Sequence, residues 1–301
     1  MPHEPTLAVI MPNFNDAEMI PQAVQGVLNQ HRQPDELIII DDGSTDHSLE
    51  VLNSIVKKHP HIRVLTSERN QGVVHVFNRA LAEVRSEYVA FVSMDDSNDP
   101  TWLDKSMAML KQYPSAGLCC SDLYYLQVSG ITEESRCHWS QVPRFFSGRD
   151  FAHIVNGYYI SGTTVVVKKE PFMALGGYRP ELLWHSDWFG WLVVAMRYGV
   201  CFIPECLVTL KVRDTSHSEV GRKNWEKQSV VLRNIFNLLS SAEFQDVVPH
   251  FIWGNIMNHF QHESVLVILQ NPQLWSQRNF LLVRQLIPKF NVSGSYSLTN
   301  K

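Results

Sequence analysis

Two rhythms of apolar and polar positions alternate along the first 120 residues. Short apolar runs occur at Leu7–Met11, Glu36–Ile40, Ile62–Leu65, Tyr88–Val92 and Ala116–Cys120. Continuous Val/Ile/Leu runs of this length read as strands buried on both faces. Between them lie stretches of helical length at Asp16–Gln30, Asp46–His59, Gly72–Arg85 and Pro100–Gln112. The alternation predicts an α/β fold whose sheet is mainly parallel, with right-handed crossovers. Asp46 and Asp99 stand where helix caps are expected, with Pro100 at the first helical position of its segment.

From about residue 121 the pattern mixes. Tyr158–Lys168 reads as a strand entering a short helix, Ser186–Tyr198 as a helix, and Val200–Pro204 and Leu207–Val212 as two strands. Asn224–Leu239, Ala242–Phe260, His262–Leu269 and Gln273–Ile287 read as amphipathic helices, and Asn291–Lys301 as a polar, frayed end. The change of character divides the chain into residues 1–220 and a helical extension, 221–301.

Composition narrows the function. The chain has 301 residues, 45% hydrophobic and 19% charged, with 26 Lys+Arg against 30 Asp+Glu and a net charge of -4. That balance excludes disorder and gives no support for coating nucleic acid. The most apolar unbroken run, Trp188–Met196, is far short of the ~20 residues a membrane span needs. Met1–Leu7 lacks a basic-then-apolar signal pattern, so a cytoplasmic location is expected. Cys119, Cys120, Cys137, Cys201 and Cys206 form no CxxC pair and read as reduced thiols. The histidines, His59/His61 and His259/His262 included, have no metal-site context and read as ordinary residues.

Candidate chemistry gathers where strands end. In an open parallel sheet, ligands sit at the carboxyl ends of the strands. Pro12-Asn13-Phe14-Asn15, Asp41 to Asp46 and Met94 to Asp99 fall at three such ends. Caps account for Asp46 and Asp99, and Asp41 can simply solvate a strand end. Neither explains the pairing of Asp42, Asp95 and Asp96 at two ends. Adjacent carboxylates repel unless compensated, and they suit a hard divalent ion that bridges to a phosphate. No GxGxxG follows the first strand and no P-loop is present.

These elements together resemble the family 2 glycosyltransferases of GT-A fold. Val9–Asn15, Gln30 and Pro34 with Glu36–Asp46 (ELIIIDDGSTD), Asn70-Gln71-Gly72 with Asn78, Phe91–Asp96 (FVSMDD), Gly176-Gly177-Tyr178 with Ser186-Asp187-Trp188, and Arg213–Ser218 follow that family's order over about residues 7–218. The resemblance implies inverting transfer of a sugar from a nucleotide-diphosphate sugar, a UDP- or GDP-sugar, to a hydroxyl of a saccharide or lipid-linked acceptor. It implies Mn²⁺ or Mg²⁺ as cofactor, with Asp95, Asp96 and His217 as its ligand candidates. Pro12, Phe14 and Asp42 would frame the base, with Asp41 second choice to Asp42. Asn15, Asn70, Gly72, Asp95 and Arg213 complete the donor-binding set. Arg213 and His217 would also help hold the diphosphate, and Asp187 would be the general base. Polysaccharide or glycoconjugate assembly is the setting that the resemblance implies.

Ser93 stands where the family's DxD motif often begins, Ser186 where Glu often precedes the base, and His75 where a smaller residue is common. The two serines keep open a second reading, a catalytically weak nucleotide-sugar-binding scaffold subunit. Trp184 and Trp188 flank Asp187 and read as acceptor-side rings, while Trp191 and Tyr198 read as core. Leu182–Asp187 and Gln141–Ser147 read as lid loops. Packing on the sheet, or a homo-oligomer face, is the leading reading of the C-terminal helices. Acceptor docking or a peripheral contact with the inner face of a membrane through Trp253, Phe260, Trp275, Phe280, Arg278, Arg284 and Lys289 is the alternative.

Overall fold

A computed structural model describes residues 4–213 and 217–287; the side chain of His217 is outside this description. The first half alternates as its apolar rhythm predicts: β1 (Leu7–Asn13), α1 (Ile20–Leu28), β2 (Glu36–Asp41), α2 (Ser48–Lys58), β3 (Ile62–Thr66), α3 (Val73–Glu83), β4 (Tyr88–Phe91), the short β5 (Ser97–Asn98) and α4 (Trp102–Gln112). Then come β6 (Leu118–Leu126), β7 (Thr132–Ser135), β8 (Arg144–Phe146), α5 (Gly148–Ile154), β9 (Val166–Lys168), α6 (Lys169–Ala174), α7 (Ser186–Tyr198) and β10 (Val200–Lys211). The remaining helices are α8 (His217–Lys223), α9 (Trp225–Ser240), α10 (Val248–Trp253), α11 (His262–Gln270) and α12 (Gln277–Leu282).

The sheet runs β3-β2-β1-β4-β9-β6-β10-β5, with β7 added to β6 and β8 to β10. Strands β1 to β4 pair parallel, as do β6 and β10, while β9 runs antiparallel between β4 and β6. Alternation along each strand feeds two cores. Leu7, Val9 and Met11 of β1 join Leu37 and Ile39 of β2 under α1, α2 and α4. Ala8 and Ile10 join Ile38 and Ile40 on the opposite face, under α3, α5, α7 and the C-terminal helices.

Several boundaries differ from the sequence reading. The two strands expected at 200–212 are one, β10, with register shifts around Pro204 and Glu205; proline cannot donate to the ladder, so pairing slips there. Of Tyr158–Lys168 only Val166–Lys168 is a strand, after a 3-10 turn at Gly162–Thr164. Asp99 accepts from Thr101 N–H at 2.8 Å, so α4 starts at Trp102, beyond Pro100. Ala242–Phe260 is not one helix. Gly254 lies so close to α5 that a Cβ would sit 2.6 Å from Val155 Cγ1, and Asn255 turns left-handed at φ 50°. The Gln141–Ser147 segment contains β8, which pairs with β10, and is not a lid. No helix among the described residues is long and apolar enough to cross a membrane.

The C-terminal helices belong to the same continuous apolar cluster as α7, and Phe189 and Trp188 meet the Phe251 ring at 6.0 and 6.3 Å. Arg197 of α7 donates to both Asp246 oxygens at 2.8 and 2.9 Å. Phe251→Ala removes a fully buried ring from this junction, so unfolding free energy in a denaturant titration is expected to fall by about 3–5 kcal/mol.

Candidate active site

The carboxyl ends of β1 and β2 are laced together by side chains. Asp41 is fully buried. Its Oδ1 accepts from Asn13 Nδ2 at 2.7 Å and from Ser44 Oγ at 2.6 Å; its Oδ2 accepts from Ser44 N–H at 3.1 Å. Asn15, left-handed at φ 55°, places Oδ1 2.7 Å from the N–H of Thr45. Asp42 reaches the next loop: its carboxylate accepts from Gln71 N–H at 3.0 Å and from Gly72 N–H at 2.8 Å. Asn70 Oδ1 accepts from the same Gly72 N–H at 3.0 Å. Gly43 has φ 70°, and a Cβ there would lie 2.6 Å from the Arg69 backbone, so only glycine fits. Asp41, Asp42, Asn15, Asn70 and Gly72 are thus brought together and already bonded to the protein. Pro12 is half-buried and Phe14 is exposed at the same end. Asn13 lies in the same strand signature, with no role predicted for it. Its Oδ1 is buried without a partner among the described residues, which makes it a free acceptor at this end.

The end of β4 carries the second cluster. Arg213, just past β10, sets Nε 2.7 Å from Asp95 Oδ2 and Nη1 3.4 Å from Asp16 Oδ1. One guanidinium therefore joins the β1–α1 loop to the ends of β4 and β10. Asp96 Oδ1 accepts from Lys211 N–H at 3.1 Å. Burial and the neighbouring Asp95 charge push the Asp96 carboxyl up to about 7, against the pull of Lys211 N–H and Arg213. Two adjacent carboxylates, one held short of ionisation by burial and by its neighbour, are hard oxygen donors that fit a divalent ion whose other ligands are phosphate and water. Among the described residues no group of three or more His, Cys, Asp or Glu could hold a metal alone. Residues 214–216 and the His217 side chain lie outside the description.

Asp187 opens α7. The N–H of Trp188 donates to its Oδ1 at 2.7 Å. Burial raises its carboxyl to about 6, opposed by the N–H groups of Trp188 and Asp187 and by Arg222. Asn78 of α3 bonds both backbone groups of Tyr178, at 2.6 and 2.9 Å. Gly177, at φ 64°, would press a Cβ to 2.6 Å from Asn78 Oδ1, which explains the Gly-Gly-Tyr spacing.

The rings near Asp187 divide. Trp188 is 2% exposed and stacks on His259, with centroids 5.8 Å apart, so it is core and not an open acceptor platform. Trp184 is half-buried and donates Nε1–H to Gln228 Oε1 at 2.9 Å, pinning the 182–187 segment to α9. Trp191 is core as expected, whereas Tyr198 is 42% exposed. His259, read from the sequence as an ordinary residue, is half-buried among these rings, and burial with the Arg222 charge pushes its pKa down to about 4. Its ring also stacks on Tyr159 at 5.7 Å; only the fold brings a C-terminal residue there. An open hollow of about 570 Å³, bordered by Asp35, His61, Arg63 and Ser86, lies at the amino ends of the strands, away from both clusters.

Comparison with known proteins agrees with this architecture. The pattern described as glycosyl transferase family 2 matches residues 8–176, more than half of the chain, and the chain belongs to that family. Its fold is of the GT-A type. An uncharacterized glycosyltransferase of Escherichia coli, YibD, is 26% identical over 96% of this chain and 85% of its own length. A putative teichuronic acid biosynthesis glycosyltransferase of Bacillus subtilis, TuaG, is 33% identical over 36% of this chain. The chain spans 43% of that relative and 43% of an uncharacterized Haemophilus influenzae glycosyltransferase. Among solved structures, Staphylococcus aureus TarS with UDP-GlcNAc superposes over 95% of this chain and 83% of its own, with a TM-score of 0.68 and 16% identity. The Pyrobaculum calidifontis mannosyltransferase PcManGT with GDP-Man and Mn²⁺ covers 98% and 77%, with a TM-score of 0.61 and 16% identity.

The raised Asp187 pKa has a consequence for stability. The folded chain binds that proton more tightly than the unfolded chain. Its stabilising contribution is therefore present below pH ~4 and is lost as pH rises through about 6. Asp187→Asn should stabilise the protein at pH 8 by on the order of 2 kcal/mol. The gain should vanish toward pH 4, as paired denaturant titrations would read.

Proposed function

We propose that the chain transfers a sugar from a nucleotide-diphosphate sugar to an acceptor hydroxyl with inversion at the anomeric carbon. Asp187 carries the reading: a half-buried carboxylate at the first turn of α7, with a pKa raised to about 6, suits a general base near neutral pH. It accepts the acceptor O–H proton while that oxygen attacks the anomeric carbon. The bond from that carbon to the diphosphate oxygen breaks on the opposite face, and the nucleoside diphosphate leaves.

Pro12 and Phe14 would border the base, with the loops set by Asp41, Asp42, Asn15, Asn70 and Gly72 shaping its seat. Asp95 and Asp96 would hold Mn²⁺ or Mg²⁺, His217 being a further candidate; when bound, the ion would supply Lewis acidity toward the diphosphate. Arg213, already beside Asp95, would add its positive charge to the same phosphates. UDP-GlcNAc in TarS and GDP-Man with Mn²⁺ in PcManGT support a UDP- or GDP-sugar and a divalent ion. The relative named for teichuronic acid biosynthesis supports polysaccharide or glycoconjugate assembly; a saccharide or lipid-linked acceptor and a cytoplasmic location belong to the same proposal. Residues 1–220 would form the catalytic unit, and 221–301 a helical extension backing α7.

UDP or GDP with Mn²⁺ is expected to raise the melting temperature. Asp96→Ala should remove the Mn²⁺-dependent part of the rise. Asp187→Ala should keep the rise and lose transfer by at least ~10²-fold. Full transfer by both variants would sink the proposal; nucleotide binding without turnover on a broad acceptor panel would favour the scaffold reading.

A further inference from the structure

The 3-10 turn before β9 places a glycine against Asp187. Gly162 is not among the positive-φ glycines, so its conformation does not demand glycine. Its surroundings do. A Cβ there would lie 2.7 Å from Asp187 Oδ2 and 3.3 Å from Trp191 Nε1. The carboxylate oxygen and the indole nitrogen thus border one small space that a methyl group would fill.

Trp191 lies four residues beyond Asp187, one turn along the same face of α7. It is fully buried, and its Nε1–H has no partner among the described residues. A buried N–H without an acceptor calls for an explanation. An indole nitrogen only donates, so its partner must be an acceptor. Asp187 Oδ2 is the acceptor across the space, while Oδ1 takes the Trp188 N–H. The two atoms make no hydrogen bond in this structure; the space that Gly162 leaves is where a turn of either side chain joins them.

Resting on Asp187 as the base, we propose that Trp191 is its positioning residue, donating Nε1–H to Asp187 Oδ2 across the space that Gly162 keeps clear. With one N–H on each oxygen, the carboxylate is fixed in rotation, and its remaining lone pairs face the acceptor hydroxyl. Trp191 keeps its proton throughout; the acceptor proton ends on Asp187. The other titratable groups that act on Asp187 or respond to its charge are Arg222, Tyr159 and Tyr178. None of them is altered in the test.

Carboxyl ¹³C NMR of aspartate-labelled full-length protein, without substrate, reads the contact directly, with Asp187→Asn assigning the resonance. Trp191→Phe keeps the ring and removes the N–H. The Asp187 titration should move up by about one pH unit, with the nucleotide-induced melting shift unchanged. An unmoved titration overturns the inference. Should Trp191→Phe fail to fold, Gly162→Ala puts a methyl group between the two atoms and should also raise the titration; no movement there overturns it equally. The base reading is tested apart. Wild-type transfer by Asp187→Asn removes that reading and this inference with it. Loss of transfer in Asp187→Asn with unmoved titrations removes this inference alone.

Discussion

Two carboxylates at the end of β2 hold the carboxyl end of the sheet together. A sheet buried on both faces leaves its polar chemistry to the strand ends, where loops have few apolar contacts of their own. Asp41 binds Asn13 and Ser44, and Asp42 binds the N–H groups of Gln71 and Gly72. Charged acceptors with several donors make strong hydrogen bonds. Through them the β1, β2 and β3 loops become one surface. The glycines follow from this packing: Gly43 lies against the Arg69 backbone with no room for a side chain.

The rest of the site is a matter of balanced charge. Asp95 and Asp96 are adjacent, and the repulsion between them is met by one guanidinium, Arg213, reaching from the end of β10. That guanidinium also meets Asp16, so the same charge ties this end of the sheet to the β1–α1 loop. Asp187 is set apart from this cluster, at a helix start where backbone N–H groups favour the anion while burial opposes it. The opposition leaves a carboxylate able to take a proton near neutral pH.

Much of this was legible along the chain. The strands β1 to β4 were visible because their apolar runs are short and continuous, and Asn78 because a matched motif marks it. The packing of His259 and the role of Gly162 were not. His259 lies far along the chain from the Trp188 and Tyr159 rings it stacks on, and no local pattern records such a meeting. Trp188 looked available because it flanks Asp187; packing from the C-terminal helices covers it. The single strand β10 hid behind Pro204, whose missing N–H reads locally as an end and is spanned in the fold by a register shift.

The sequence by itself determined the α/β order, the carboxylates at two strand ends and the family, because these depend on local periodicity and on short ordered motifs. Tertiary structure alone decided which carboxylates are already engaged, that Arg213 faces Asp95, that the helical extension packs on α7, and that Gly162 and Trp191 border Asp187. Such relations depend on distances between residues remote in sequence, which only closing the chain around its two cores brings within reach.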